Sequence, residues 1–192
     1  MTASASMTAM KAGKIVSSFY TKGGRKVVLR TPKWEDLDDL LELIKSLVDE
    51  KVNISRTKKV SREEEIDWLS GVLSRLEKDE TFYLVADVDG KVVGTSHLNR
   101  RAGGYEGHVG VIGIAIKKGF RDVGIGTEMV KALIDQARTM GLKVITLSAF
   151  ATNKRAIHVY EKVGFVQTGR IPKKFFKDDE YIDEMIMTKV LE

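Results

Sequence analysis

The dipeptide Asp89-Gly90 constrains the fold more than any other feature of the chain. It separates TFYLVAD (81–87) from KVVGTSHLNR (91–100), and Asp-Gly is a preferred two-residue hairpin turn. A hairpin makes its strands antiparallel, so the sheet cannot be all parallel and a doubly wound architecture is excluded. Around this hairpin the apolar periodicity switches between strand and helix. KVVLR (26–30) reads as a strand, and Thr31-Pro32 as a cap with proline at the first helical position. Trp34, Leu37, Leu40, Leu41, Ile44, Leu47 and Val48 follow at helical spacing. Ser61 and Glu64 form a capping box that opens a second helix. HVGVIGIAI (108–116) is a strand, and the next helix runs to about Met140 and stops at Gly141. KVITLSA (143–149) is a strand, 153–163 a helix stopped by Gly164, and FVQTGR with YIDEMIMTKV (181–190) a final antiparallel pair. The predicted architecture is α/β of the α+β type. A mixed, mostly antiparallel seven-stranded sheet is flanked by about four helices.

A chain of 192 residues suits one domain with a proper core. Its 43% hydrophobic and 31% charged residues place it among ordered globular proteins. The net charge of +5 hints at nucleic acid, but Lys11, Lys14 and Lys22 lie in an acid-free segment and the remaining charge is mixed. No basic stripe with a reading motif follows, so nucleic-acid binding is not expected. No apolar run approaches the ~20 residues that span a bilayer, so no membrane partner is expected either. Residues 1–24, rich in Ser, Thr and Ala and closed by Gly-Gly, read as a flexible tail. Residues 25–192 form the single domain. The absence of cysteine removes disulfides, thiolate metal sites and a cysteine nucleophile, and it fits a cytoplasmic location.

Two segments carry the chemistry. FRDVGIGTEMV (120–130) enters a helix with two glycines in its first turn, where each glycine costs about 1 kcal/mol relative to alanine. Such a turn presents unpaired N–H groups and about half a positive charge, and glycine lets a large anion approach closely. Arg121 either contacts the anion or fixes the loop. The alternative is that Gly124 and Gly126 only permit tight helix–strand packing. A P-loop is excluded because Thr127-Glu128 follows Gly126, and a dinucleotide fingerprint because Met129 replaces its third glycine. In NKRAIHVYEKVGF (153–165), Asn153 and Tyr160 share one helix face with Ala156 between them. The alternatives there are a helix cap for Asn153 and a core aromatic for Tyr160.

RDVGIG at 121–126, followed by a helix, a strand and NKRAIHVYEKVGF, resembles the GNAT superfamily of acetyl-CoA-dependent N-acetyltransferases. The resemblance is strong from about Thr81 to Arg170. It implies the GNAT fold and acetyl-CoA as cosubstrate, without a metal. By it, Gly124 and Gly126, with main-chain N–H groups across Asp122, Val123, Ile125 and Thr127, hold the CoA pyrophosphate. Gly113, Ile114, Ala115 and Ile116 run beside the pantetheine arm, Asn153 contacts it from the far side, Ala156 leaves it room, and Tyr160 lies near the sulfur.

Without cysteine, the expected route is direct attack of an amine on the thioester. A lysine-like ammonium has a pKa near 10.4, so its neutral form at pH 7 is disfavoured by roughly 4.6 kcal/mol and a proton acceptor helps. Many members carry a glutamate where this chain has Val111, which leaves Glu106 and His108 as candidate bases. Tyr160 is the candidate acid for the leaving thiolate. His97 and His108 without a third ligand make a poor zinc site, and His158 points to solvent. Acids at Asp36, Asp38, Asp39, Glu63–Glu65, Asp178, Asp179, Glu180, Asp183 and Glu184 either form an acidic acceptor pocket or solvated faces. The expected acceptor is a primary amine, on a small cation such as a polyamine or on a peptide end. The alternative is an acyl-CoA-binding regulatory module without turnover. A homodimer is expected only because dimers are frequent among relatives.

Overall fold

The computed structural model describes residues 11–52 and 58–192. Eight strands form one sheet: β1 (Ile15–Tyr20), β2 (Lys26–Arg30), β3 (Thr81–Val88), β4 (Lys91–Arg100), β5 (Val109–Ile116), β6 (Val144–Phe150), β7 (Val166–Lys177) and β8 (Glu180–Val190). Their order across the sheet is β1-β2-β3-β4-β5-β6-β8-β7. Every neighbouring pair is antiparallel except β5 with β6. The helices are α1 (Leu37–Asp49), α2 (Arg62–Glu77), α3 (Ile125–Thr139) and α4 (Lys154–Lys162). The mixed, mostly antiparallel sheet and the four helices agree with the sequence reading. No helix among the described residues is long and apolar enough to cross a membrane.

The strand count is eight rather than seven, because β1 lies inside the segment read as a tail. It pairs with β2 from Ile15 to Tyr20 through a turn in which Gly24 N–H donates to the Thr21 carbonyl. IVSSFY hides as a strand because nearly all of it is exposed at the sheet edge and lacks a two-residue burial period. Residues 1–10, also assigned to the tail, lie outside the described residues.

The first helix begins later than Pro32 predicts. Trp34–Asp36 form a tight 3-10 turn, and α1 starts at Leu37. Asp36 is the cause. Its carboxylate accepts from Lys33 N–H at 2.9 Å and takes both Arg30 Nη groups at 2.7 Å. Arg30 also reaches Asp87 at 2.9 Å, and Arg30 and Asp36 are buried. Removing one member of a buried ion network leaves an uncompensated charge and costs about 3–5 kcal/mol. Asp36→Ala is therefore expected to lower unfolding stability by that amount in urea melts. A loss under about 1 kcal/mol would show that the network does not hold α1 to the sheet.

Elsewhere the local signals are expressed. Ser61 Oγ accepts from Glu64 N–H at 3.1 Å while Glu64 accepts from Ser61 N–H at 2.7 Å. Apolar clusters form on both faces of the sheet, and one of them joins Val27, Leu29, Ala86 and Val93 to Ile125 and Met129 of α3. Phe82, Leu84, Leu98 and Ile112 pack with Val130, Leu133 and Ile134 of α3 and Ile157 of α4. Leu40, Leu43 and Leu47 of α1 and Leu69 of α2 pack with Val85 and Val92 on the other face.

Candidate active site

The parallel join of β5 and β6 is short. Val109, Gly110 and Val111 pair with Val144, Ile145 and Thr146; beyond them β6 keeps only its ladder to β8 and β5 only its ladder to β4. A wedge opens between the diverging strands. The pleat decides which main-chain groups face it. Arg101 N–H donates to Val109 O and Lys117 N–H to Val93 O, so odd-numbered residues of β5 bond to β4. His108 O accepts from β6 instead, so the main-chain groups of Ile114 and Ile116 face the wedge. Those donors and acceptors suit an extended, amide-bearing chain lying in the gap.

One end of the wedge leads to the start of α3. Gly124 is the N-cap residue with φ 99, a left-handed conformation that glycine adopts without strain, and Asp122 precedes it at φ 64. No side chain caps the first turn of α3, so its orphan N–H groups remain available to an anion. A Cβ on Gly126 would lie 3.3 Å from Ile116 Cδ1 and 3.8 Å from Ile114 Cδ1. The packing reading thus has substance at Gly126, whereas Gly124 faces open space.

Arg121 fixes the loop. Its Nε donates to Ile116 O at 2.7 Å and its two Nη groups fork Glu50 at 2.5 and 2.7 Å. Hydrogen bonding by that guanidinium holds the Glu50 carboxyl below the usual carboxylate range. The end of α1 is thereby tied to the loop before α3. Arg155 of α4 adds an exposed ion pair to Asp122 at 3.1 Å.

The wedge opens into a cavity of about 1000 Å³ between the sheet, α1, α2 and the β7–β8 hairpin. Gly113, Ile114 and Ala115 form one wall, Ser148 to Phe150 another, and Tyr160 reaches it from α4. Tyr160 is buried, and desolvation pushes its phenol up to about 12. Phe165 packs beside it, with ring centres 5.9 Å apart. Asn153 Oδ1 accepts from Ala156 N–H at 3.2 Å, the geometry of a helix cap, and Ala156 packs against the core.

The structure does not bring Glu106 or His108 to this cavity. Glu106 is exposed in the Gly104–Glu106 turn and pairs with Arg101 at 3.0 Å. His108 is exposed at the start of β5, five residues and roughly 16 Å along the strand from Gly113. A different histidine does line the cavity: His97 of β4. The sequence showed it only as half of a poor zinc pair, and the two rings sit far apart along the sheet. What flags His97 is its register with Gly113, a glycine opposite a large side chain.

The acids divide between the two readings. Asp36 pairs with Arg30, Asp38 with Arg62, Asp39 with Lys91 and Asp183 with Arg170, while Glu64 caps α2. Glu65, Asp178 and Glu184 line the cavity, but so do Lys51, Lys174 and Lys177. An acidic pocket does not form. The lining is mixed in charge and rich in aromatic side chains.

The chain matches the Acetyltransferase (GNAT) family over residues 37–165, a span that includes both motifs and most of the cavity wall. It belongs to that family. This GNAT enzyme is 30% identical over 108 residues to the L-amino acid N-acetyltransferase AaaT of Escherichia coli K12, covering 56% of this chain and 67% of that protein. Among solved structures it resembles a ribosomal-protein-alanine N-acetyltransferase from Brucella melitensis. That match has 26% identity and a TM-score of 0.75, and covers 85% of this chain and 99% of the other. It shares its fold with yncA, a putative acetyltransferase from Salmonella typhimurium solved with its cofactor acetyl-CoA. There the identity is 20% and the TM-score 0.76, over 86% of this chain and 94% of that one. The GNAT fold and the N-acetyltransferase class expected from the sequence are therefore correct.

Proposed function

We propose that this acetyltransferase moves the acetyl group of acetyl-CoA directly to the primary amine of an amino acid or of a peptide's first residue. The observation that carries this reading is the wedge. It runs from uncapped N–H groups at α3, past the wedge-facing main-chain groups of Ile114 and the N–H of Ile116, to a cavity with Tyr160 in its wall. A diphosphate at the helix start and an amide-bearing arm along β5 would deliver a thioester to the cavity. The Ile114 N–H would then donate to the carbonyl oxygen as it becomes an oxyanion.

Tyr160 serves the departing sulfur. A phenol held near 12 stays protonated at neutral pH, yet it is a much weaker acid than a thiol near ~8.5. Full transfer to a free thiolate is therefore uphill. The proton moves as the C–S bond breaks, while the phenol oxygen recovers one from the new amide nitrogen.

The acceptor follows from the lining. Trp68 meets the Tyr83 ring edge-on at 5.6 Å, Phe150 stacks on Phe175 at 3.9 Å, and lysines balance acids at the rim. Such walls favour an apolar side chain and accommodate a carboxylate or carbonyl beside the amine, and they offer a polyamine no net charge attraction. The names of two relatives matched above 25% identity, an L-amino acid N-acetyltransferase and a ribosomal-protein-alanine N-acetyltransferase, point the same way.

A thiol-release assay with acetyl-CoA tests this over L-phenylalanine, L-methionine, an alanine-initiated peptide and spermidine. Turnover is expected with the amino acids or the peptide and at most one-tenth of that rate with spermidine. A preference for spermidine would overturn the acceptor assignment. Saturable acetyl-CoA binding without thiol release on any amine would identify a binding module instead.

A further inference from the structure

We infer that the imidazole of His97 accepts the proton of the incoming ammonium, doing from β4 what no side chain on β5 does here. The inference rests on the acetyl-transfer reading above.

The geometry begins with the β4–β5 register. His97 faces Gly113, and Gly113 is two residues beyond Val111 on the same face of β5. Directly facing residues of such a pair have Cα atoms about 5.5 Å apart. The His97 ring fills the space a side chain at 113 would need. A Cβ on Gly113 would stand 3.0 Å from Nε2 and 3.3 Å from Nδ1, and nearer still to Cε1. The imidazole therefore lies over the β5 main chain immediately before Ile114, whose N–H faces the wedge. Proton acceptor and oxyanion donor thus flank one point of the cavity wall.

The ring is also held in place. It stacks on Tyr83 at 5.3 Å with an interplanar angle of 29°, and Trp68 braces Tyr83 in turn. Burial pushes the imidazole below its ordinary value near 6.5, so it is neutral at pH 7 and has a lone pair to offer. The titratable and charged groups that share its cavity are Glu65 of α2, Tyr83 of β3, Tyr160 of α4 and Glu184 of β8. Lys51 after α1 and Lys174, Lys177 and Asp178 of the hairpin complete the set.

The step balances. The R–NH3+ acceptor gives one proton to a His97 ring nitrogen, and the freed amine forms the C–N bond to the thioester carbon. The C–S bond breaks, sulfur receives the Tyr160 proton, and the phenolate takes the second proton from the amide nitrogen. His97 releases its proton to solvent, so the products are an N-acetyl amine, a thiol and one H+.

The test compares wild type, His97→Gln and Gly113→Ala. The probes are acetyl-CoA with L-phenylalanine, L-methionine and an alanine-initiated peptide. His97→Gln is expected to lose about 100-fold in kcat/KM, to lose the acidic limb of the pH profile, and to regain part of its rate with added imidazole. Acetyl-CoA affinity should stay within about twofold of wild type. Gly113→Ala, which displaces the ring without removing it, should show a similar defect, and the double variant should be little worse than either single one. A wild-type rate in His97→Gln, an unchanged acidic limb, or additive losses in the double variant would overturn the inference. Independently of any acceptor, the His97 ring proton resonance should titrate below pH 6.5 and move on adding acetyl-CoA. A midpoint at or above 6.5, or a silent ring, would also overturn it. If wild type binds no acetyl-CoA, the acetyl-transfer reading fails rather than the assignment of His97.

Discussion

Gly126→Glu is expected to lose acetyl-CoA binding by at least a hundredfold while the protein stays folded. The position lies in the first turn of α3, whose N-cap is Gly124. A diphosphate there is favoured by orphan N–H groups and by about half a positive charge. A carboxylate placed within about 4 Å of that diphosphate faces a repulsion of about 4 kcal/mol at a surface-like dielectric, close to a thousandfold in affinity. Bulk alone predicts less. An added methyl meets only the tips of Ile116, Ile114 and Val159, the nearest at 3.3 Å, and flexible aliphatic ends give way by a few tenths of an ångström. Gly126→Ala should therefore cost no more than about tenfold. Calorimetric titration of both variants separates charge from volume, and thermal melts confirm folding. Equal affinities for wild type and Gly126→Glu would remove the diphosphate from this turn.

Tyr160→Phe carries the second large effect. Its hydroxyl is the part proposed to act, and the ring packs in a core with Phe165, Ile157 and Leu147 that phenylalanine can preserve. Turnover should fall about 100-fold, within the range for a positioned acid. The Kd for acetyl-CoA should change less than about twofold, because the hydroxyl matters only as charge develops on sulfur. A sign follows for pH. The phenol is required in its protonated form and titrates near 12, so deprotonation of Tyr160 produces no loss of wild-type kcat between pH 7 and about 10. A basic limb near pH 8 that disappears in Tyr160→Phe would contradict this assignment.

Legibility of the fold in the sequence followed the range of the interactions. Features fixed by adjacent residues were readable: the hairpin turn at Asp89-Gly90, the capping box at Ser61 and Glu64, and the helix stops at Gly141 and Gly164, both at positive φ. Features fixed by distant residues were not. The late start of α1 depends on Asp36 meeting Arg30, whose guanidinium is shared with Asp87, 51 positions beyond Asp36. Strand β1 is an exposed edge, so its burial pattern gives no signal, and only its ladder to β2 reveals it.

The site divides in the same way. The glycine spacing pointed to the first turn of α3, which the structure leaves without a side-chain cap, whereas the wedge depends on the pairing of β5 and β6 and was not readable. Glu106 and His108 are near Val111 in sequence only, because a pleated strand carries such neighbours away at about 3.3 Å per residue. His97 was reachable by counting register. Pairing Arg100 with Gly110 sets a large ring against Gly113, an arrangement that calls for an explanation. Whether the acids around the acceptor region form a pocket or solvated faces stayed open in the sequence, because their partners, among them Arg62, Lys91 and Arg170, are remote along the chain.

The most direct measurement of the central claim is an amide chemical-shift titration of 15N-labelled protein with coenzyme A. The largest changes are predicted at the N–H groups of Val123 to Thr127 and at Ile114, together with slowed hydrogen exchange there. Saturable binding that leaves those amides unmoved and perturbs the outer faces of α1 and α2 instead would contradict the account.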